Sequence, residues 1–137
     1  DVLRPKINFL SIGTNDLTQF LFAADRADPR LAERYDWLSP AILRFIRRVV
    51  LACREHNVDL AVCGEMGGRT LEALALMGIG IDRLSITPAA VGAVKAMVRS
   101  TNKAEVEKFI EDLLTRPTAN FRLEVTRWAS EQGIEIA

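Results

Sequence analysis

Four side chains of this 137-residue sequence offer most of its chemistry: Asn15, Asp16, Arg26 and Cys63. Asn15 and Asp16 fall in Ser11-Ile12-Gly13-Thr14-Asn15-Asp16-Leu17-Thr18-Gln19, a polar loop expected just after an apolar run. Gly13 permits a sharp turn there, and free backbone N–H groups with the Asn15 amide suit a phosphate or carboxylate. A carboxylate at Asp16 repels such an anion unless a cation lies between them. That favours Mg²⁺, which takes one or two carboxylates together with substrate phosphate oxygens. The competing reading is a turn that caps the helical segment behind it. Arg26, in Ala24-Asp25-Arg26-Ala27-Asp28, is a bidentate phosphate clamp or, between two aspartates, a solvated ion pair. Cys63 precedes Gly64-Glu65-Met66-Gly67-Gly68. A thiol at a strand end beside a helix start has a tunable pKa and serves as acid or base; a small buried hydrophobe is the alternative.

The remaining candidates are weaker. Cys53 sits on an apolar helix face and reads as core. Glu65 suits a metal or the positive start of the next helix. His56, the one histidine, lies at a helix end without a Cys, Asp or Ser partner at useful spacing. Gly64, Gly67 and Gly68 resemble a phosphate loop only loosely, since no Gly-Lys-Ser/Thr follows.

Alternating elements are expected to position these groups. Near-continuous apolar runs at Ile7–Ile12 and Leu60–Cys63, and a weaker one at Leu84–Ile86, predict parallel strands buried on both faces. A helix is expected from Ser39-Pro40, with Ile42, Phe45, Ile46, Val49, Val50 and Cys53 on its apolar face and Asn57 at its end. Others are expected over Arg69–Met77, from Pro88 with Val91, Val94 and Val98 inward, over Lys103–Leu114 capped by Asn102, and over Ala119–Gln132 capped by Thr118. Asp25–Asp36 is the long polar connection. Alternation of this kind predicts an α/β fold of βαβ units, whose sites lie at strand carboxyl ends. Three strands cannot close a barrel, so either further sequence or a second copy completes the sheet.

Composition narrows the classes. Hydrophobic residues make up 49% and charged residues 26%, enough for a real core. Eighteen basic residues balance eighteen acidic ones, so no net field draws the chain to nucleic acid or to a membrane. Two cysteines are too few for a disulfide scaffold or a four-ligand zinc site, and a reduced cytoplasmic setting is expected. The opening Asp1-Val2-Leu3-Arg4-Pro5, without an initiator Met, reads as part of something longer.

The segments Phe9–Phe20, Ala24-Asp25-Arg26 and Cys63-Gly64-Glu65-Met66-Gly67-Gly68 together resemble the phosphoenolpyruvate-utilising enzymes, most of all enzyme I of the bacterial phosphotransferase system and its nitrogen-regulatory paralogue. The resemblance runs on through Gly78-Ile79-Gly80-Ile81-Asp82 and covers most of the chain. It implies that residues 1–137 form one piece of a (β/α)8 barrel: its last three β/α units and a helical tail. It implies that Asn15 and Asp16 contact phosphoenolpyruvate, that Asp16 also binds Mg²⁺, that Arg26 holds the substrate phosphate, and that Cys63 protonates the methylene carbon. The resemblance to enzyme I implies transfer of the phosphoryl group to an enzyme histidine and on to a phosphocarrier protein, with release of pyruvate, and dimerisation through the barrel.

Its second Mg²⁺ carboxylate and other substrate arginines come from earlier strands, and its phosphorylated histidine from another domain, in a context unlike that of His56. Ser85-Ile86-Thr87-Pro88 departs from the usual small-residue stretch. Phosphoenolpyruvate synthase and pyruvate phosphate dikinase share the first motif. Two readings of other classes stay open: a non-catalytic dimerisation or regulatory fragment, and an unrelated parallel α/β binding module.

Overall fold

The computed structural model describes residues 6–136, so the opening Asp1–Pro5 lies outside the described residues. Three parallel strands, β1 (Phe9–Gly13), β2 (Asp59–Cys63) and β3 (Leu84–Ser85), form one sheet in sequence order. Gly13 lies opposite Cys63, and Cys63 opposite Ser85, so the carboxyl ends of the three strands are level.

Six helices are found among the described residues: α1 (Thr14–Phe22), α2 (Pro40–Glu55), α3 (Thr70–Gly78), α4 (Pro88–Arg99), α5 (Lys103–Thr115) and α6 (Phe121–Glu131). Ser39 starts α2 by accepting from the Ala41 N–H, with Pro40 at the first turn, where its missing donor costs nothing. Ile42, Leu43, Ile46 and Val50 of α2 are buried in the core. Nearly every residue of α3 is buried, because α4, α5 and α6 all pack on it. The approach of α3 to α5 requires Gly78: a Cβ there would lie 2.5 Å from Ile110 Cγ1. Asn102 caps α5 through the Ala104 N–H.

Several expectations are corrected. Residues 14–19, read as part of a loop, belong to α1, which begins directly after Gly13. Thr14 and Thr18, four apart, are fully buried, and Thr18 Oγ1 donates to the Thr14 carbonyl 2.8 Å away. The sheet is not buried on both faces: Ile12 and Val62 turn inward, whereas Phe9 is 71% exposed and Ser11 and Gly13 face outward. β1 starts at Phe9 rather than Ile7, and β3 has two residues, stopping before Ile86. Asn120, not Thr118, caps α6, because its Oδ1 reaches the Leu123 N–H. In α4 Met97 is buried and Val98 exposed, and in α2 Phe45 is 41% exposed. The Asp25–Asp36 connection contains a 3₁₀ turn at Pro29–Arg34.

Candidate active site

Two turns at the carboxyl ends of β1 and β2 dock against each other. After Cys63 the backbone turns through Gly64 at φ +111°, which L side chains rarely adopt. A Cβ there would meet Thr14 Oγ1 at 2.7 Å. That hydroxyl donates to the Cys63 carbonyl at 3.1 Å, tying the first residue of α1 to the last of β2. One residue further along each turn, Asn15 Nδ2 donates to Glu65 Oε1 at 3.4 Å. Ser11 Oγ donates to Cys63 Sγ at 3.5 Å across the open face of the sheet.

Asn15, Cys63 and Glu65 thus line one cleft of about 510 Å³, a volume typical of small-molecule sites. Arg69 and the Ser85-Ile86-Thr87 stretch complete its walls. Asn15 and Asp16 stand in the first turn of α1, where unpaired backbone N–H groups and the helix dipole favour an anion. Gly13, not Asn15 or Asp16, occupies the cap position of that helix. The Asn15 Oδ1 is enclosed without a hydrogen-bond partner among the described residues.

Asp16 and Arg26 do not line the cleft itself. Both act electrostatically on Tyr35, whose hydroxyl donates to the Asn15 carbonyl. Burial pushes the Tyr35 phenol above its ordinary value; the nearby Arg26 charge opposes that, and Asp16 and Glu65 reinforce it. Arg26 is not consumed by its flanking aspartates. Asp25 Oδ1 accepts from the Ala27 N–H at 2.9 Å, and Asp28 pairs with Arg30 at 2.7 Å.

His56 follows α2 just before β2, at the amino end of the strand whose carboxyl end carries Cys63. Five strand residues separate the two levels, roughly 16 Å along the sheet. Cys53 is a buried core residue whose thiol is pushed up by burial. Among the described residues no three His, Cys, Asp or Glu side chains cluster tightly enough to hold a metal alone. Asp16, exposed beside a helix N-terminus, fits a hard divalent ion that takes its other ligands from substrate oxygens and water.

Tyr35, Trp37 and Arg69 escaped the sequence reading. Tyr35 packs edge-on to Trp37 at 5.9 Å, and Arg69 lies 5.0 Å over the Trp37 ring. Two aromatic residues at the end of an otherwise polar connection were the available signal. Arg122 of α6 braces this rim, bonding Asp36 at 2.7 Å and the buried Glu72 at 2.8 Å.

The sequence matches the family described as PEP-utilising enzyme, PEP-binding domain, over residues 1–103. It is 42% identical over 119 residues to the multiphosphoryl transfer protein of Xanthomonas campestris, covering 87% of this chain and 14% of that protein. It is 38% identical over 112 residues to the phosphoenolpyruvate-protein phosphotransferase of Borreliella burgdorferi, covering 82% and 20%. The phosphoenolpyruvate synthase of Pyrococcus furiosus is 39% identical over 98 residues, covering 72% and 12%. The chain therefore spans a fifth or less of the length of these relatives. With its strand-end cleft in place, this chain belongs to the PEP-binding domain family of the PEP-utilising enzymes.

Proposed function

We propose that this chain is the C-terminal part of a (β/α)8 barrel in a phosphoenolpyruvate–protein phosphotransferase, a cytoplasmic enzyme that dimerises through this barrel. The observation that carries the reading is the convergence of Asn15, Cys63 and Glu65 on one cleft at level strand ends. The open face of the sheet and the exposed Phe9 and Phe20 support completion by further strands. The phosphotransferase reading is favoured over the synthase reading because matches to phosphotransferases cover more of the chain.

Asn15 and the backbone N–H groups of the first turn of α1 bind substrate oxygens, and Arg26 clamps the phosphoryl group. Asp16 would hold Mg²⁺, which would supply charge neutralisation for the phosphoryl group. The P–O bond of phosphoenolpyruvate breaks as the phosphoryl group passes to a histidine of another domain. The bonding pair departs with the enolate of pyruvate. Cys63 then gives its thiol proton to the methylene carbon and is left as thiolate; Ser11, already donating to the sulfur, stabilises that charge. A phosphocarrier protein takes the phosphoryl group from the histidine.

The test is phosphoryl transfer from labelled phosphoenolpyruvate in the full-length protein that carries this chain. Asp16→Ala is expected to abolish Mg²⁺-dependent labelling, and Cys63→Ala to slow pyruvate release about 10²- to 10⁴-fold. Full labelling and release in both variants would refute the assignment. Lost labelling with an intact dimer would exclude a purely structural or regulatory role.

A further inference from the structure

We propose that Arg69 is a substrate-binding residue of the cleft, holding the carboxylate of the three-carbon acid; this rests on the phosphoenolpyruvate reading above. The backbone before Arg69 is fixed by close packing. A Cβ on Gly67 would lie 3.2 Å from Ile86 Cγ2, and one on Gly68 would lie 3.3 Å from Ala90 Cβ. Two residues without side chains therefore bring the chain flat against the β3–α4 wall and deliver Arg69 to the rim.

Its side chain is then steered by an aromatic face. The guanidinium lies 5.0 Å over the ring of Trp37, which is itself 92% removed from solvent and held edge-on by Tyr35. Stacking of this kind limits the rotamers of a long side chain before any ligand arrives, which lowers the ordering cost of binding. No side-chain hydrogen bond of Arg69 is found among the described residues, so its N–H donors remain available to a ligand.

Charge completes the case. Arg69 and Glu65 are the charged residues lining the cleft, and Glu65 accepts from the Asn15 amide rather than pairing with Arg69. Arg69 has no ion pair with a carboxylate among the described residues. A planar fork with free donors matches a carboxylate through two parallel hydrogen bonds. Arg26, outside the cleft walls, takes the phosphoryl end in the proposed mechanism, so Arg69 falls to the other anionic group. The methylene carbon that Cys63 addresses is two bonds from the carboxylate carbon, and Cys63 and Arg69 line the same cleft.

The experiment is steady-state kinetics of the full-length protein with Arg69→Ala and Arg69→Lys, phosphoenolpyruvate as substrate, and pyruvate or inorganic phosphate as inhibitor. Arg69→Ala is expected to raise KM about 10- to 100-fold with kcat within about threefold, and to weaken pyruvate inhibition by a similar factor. Inhibition by inorganic phosphate is expected to stay unchanged, and Arg69→Lys to recover part of the loss, since it restores charge without the fork. An unchanged KM in an active Arg69→Ala protein would overturn the assignment alone. Weakened phosphate inhibition with pyruvate inhibition intact would overturn the carboxylate assignment. Failure of the wild-type protein to turn over phosphoenolpyruvate would overturn the underlying reading and this inference with it.

Discussion

Replacing Arg122 with Met isolates a charge that the fold has enclosed. The Glu72 side chain is 3% exposed and meets Arg122 at 2.8 Å, while Asp36 contacts the same nitrogen from the 42% exposed side. Burial works against the charge of Arg122, but the hydrogen bonds to Asp36 and Glu72 outweigh it and raise the guanidinium pKa further. Removing one member of a fully buried pair costs roughly 3–5 kcal/mol, because the other charge is left desolvated. Arg122 is itself 41% exposed, so water reaches that side, and the Asp36 contact is worth about 1 kcal/mol or less. About 2–3 kcal/mol is therefore expected for Arg122→Met. With a urea m-value of roughly 1–3 kcal/mol/M, the unfolding midpoint falls by about 0.7–3 M. The assay is urea unfolding of the chain at fixed protein concentration, since self-association also shifts the midpoint. The double variant Glu72→Met/Arg122→Met, with no charge left to strand, is expected within about 1 kcal/mol of wild type. A single variant costing under about 0.5 kcal/mol, or a double variant as unstable as the single, would refute this electrostatic reasoning.

Gly78→Ala, which drives a methyl into Ile110, is expected to cost about 1–3 kcal/mol and lower the melting temperature, measured by circular dichroism. Gly64→Ala meets both a positive φ and the Thr14 hydroxyl at 2.7 Å; it is expected to lose substrate turnover and at least about 1 kcal/mol of stability. Timed alkylation at pH 8 is expected to modify Cys63 well before Cys53, because burial raises the Cys53 pKa and leaves less reactive thiolate below it. Equal rates in the folded chain would contradict that order. Calorimetry is expected to show weak or no phosphoenolpyruvate binding to the 137-residue chain alone, which holds Asp16 but no metal-binding cluster among its described residues. Tight Mg²⁺-dependent binding would overturn that expectation.

What could be read from the sequence was whatever shows as a local period or cap. Ser39-Pro40 and Asn102 announce α2 and α5 because the capping oxygen and the freed N–H are only two residues apart. The β2 run shows its strand and its Gly64 stop. α1 was hidden for a physical reason. Its fully buried positions are the polar Thr14 and Thr18, while apolar Phe20 and Leu21 are 79% and 41% exposed, so the buried stripe is not an apolar one, and polar Asn15 and Asp16 imitate a turn. Thr118 and Asn120 are both cap types two residues apart, and only the final geometry decides between them. The pairing of Asn15 with Glu65 spans fifty residues and depends on strand register, which the pattern implies only loosely. Arg69 over Trp37 depends on the path of the Asp25–Asp36 connection, and no period in the sequence encodes that path.

The most direct measurement of the central assignment, Cys63 as the acid toward carbon, is exchange of pyruvate methyl protons with D₂O, followed by proton NMR in the full-length protein with Mg²⁺. By microscopic reversibility, the Cys63 thiol protonates the enolate in one direction and the thiolate it leaves removes that proton in the other. Wild-type protein is expected to exchange the methyl protons, and Cys63→Ala to exchange them about 10²- to 10⁴-fold more slowly. Arg30→Ala, which touches only the exposed Asp28 pair, is expected to match wild type. Undiminished exchange in Cys63→Ala would contradict the assignment.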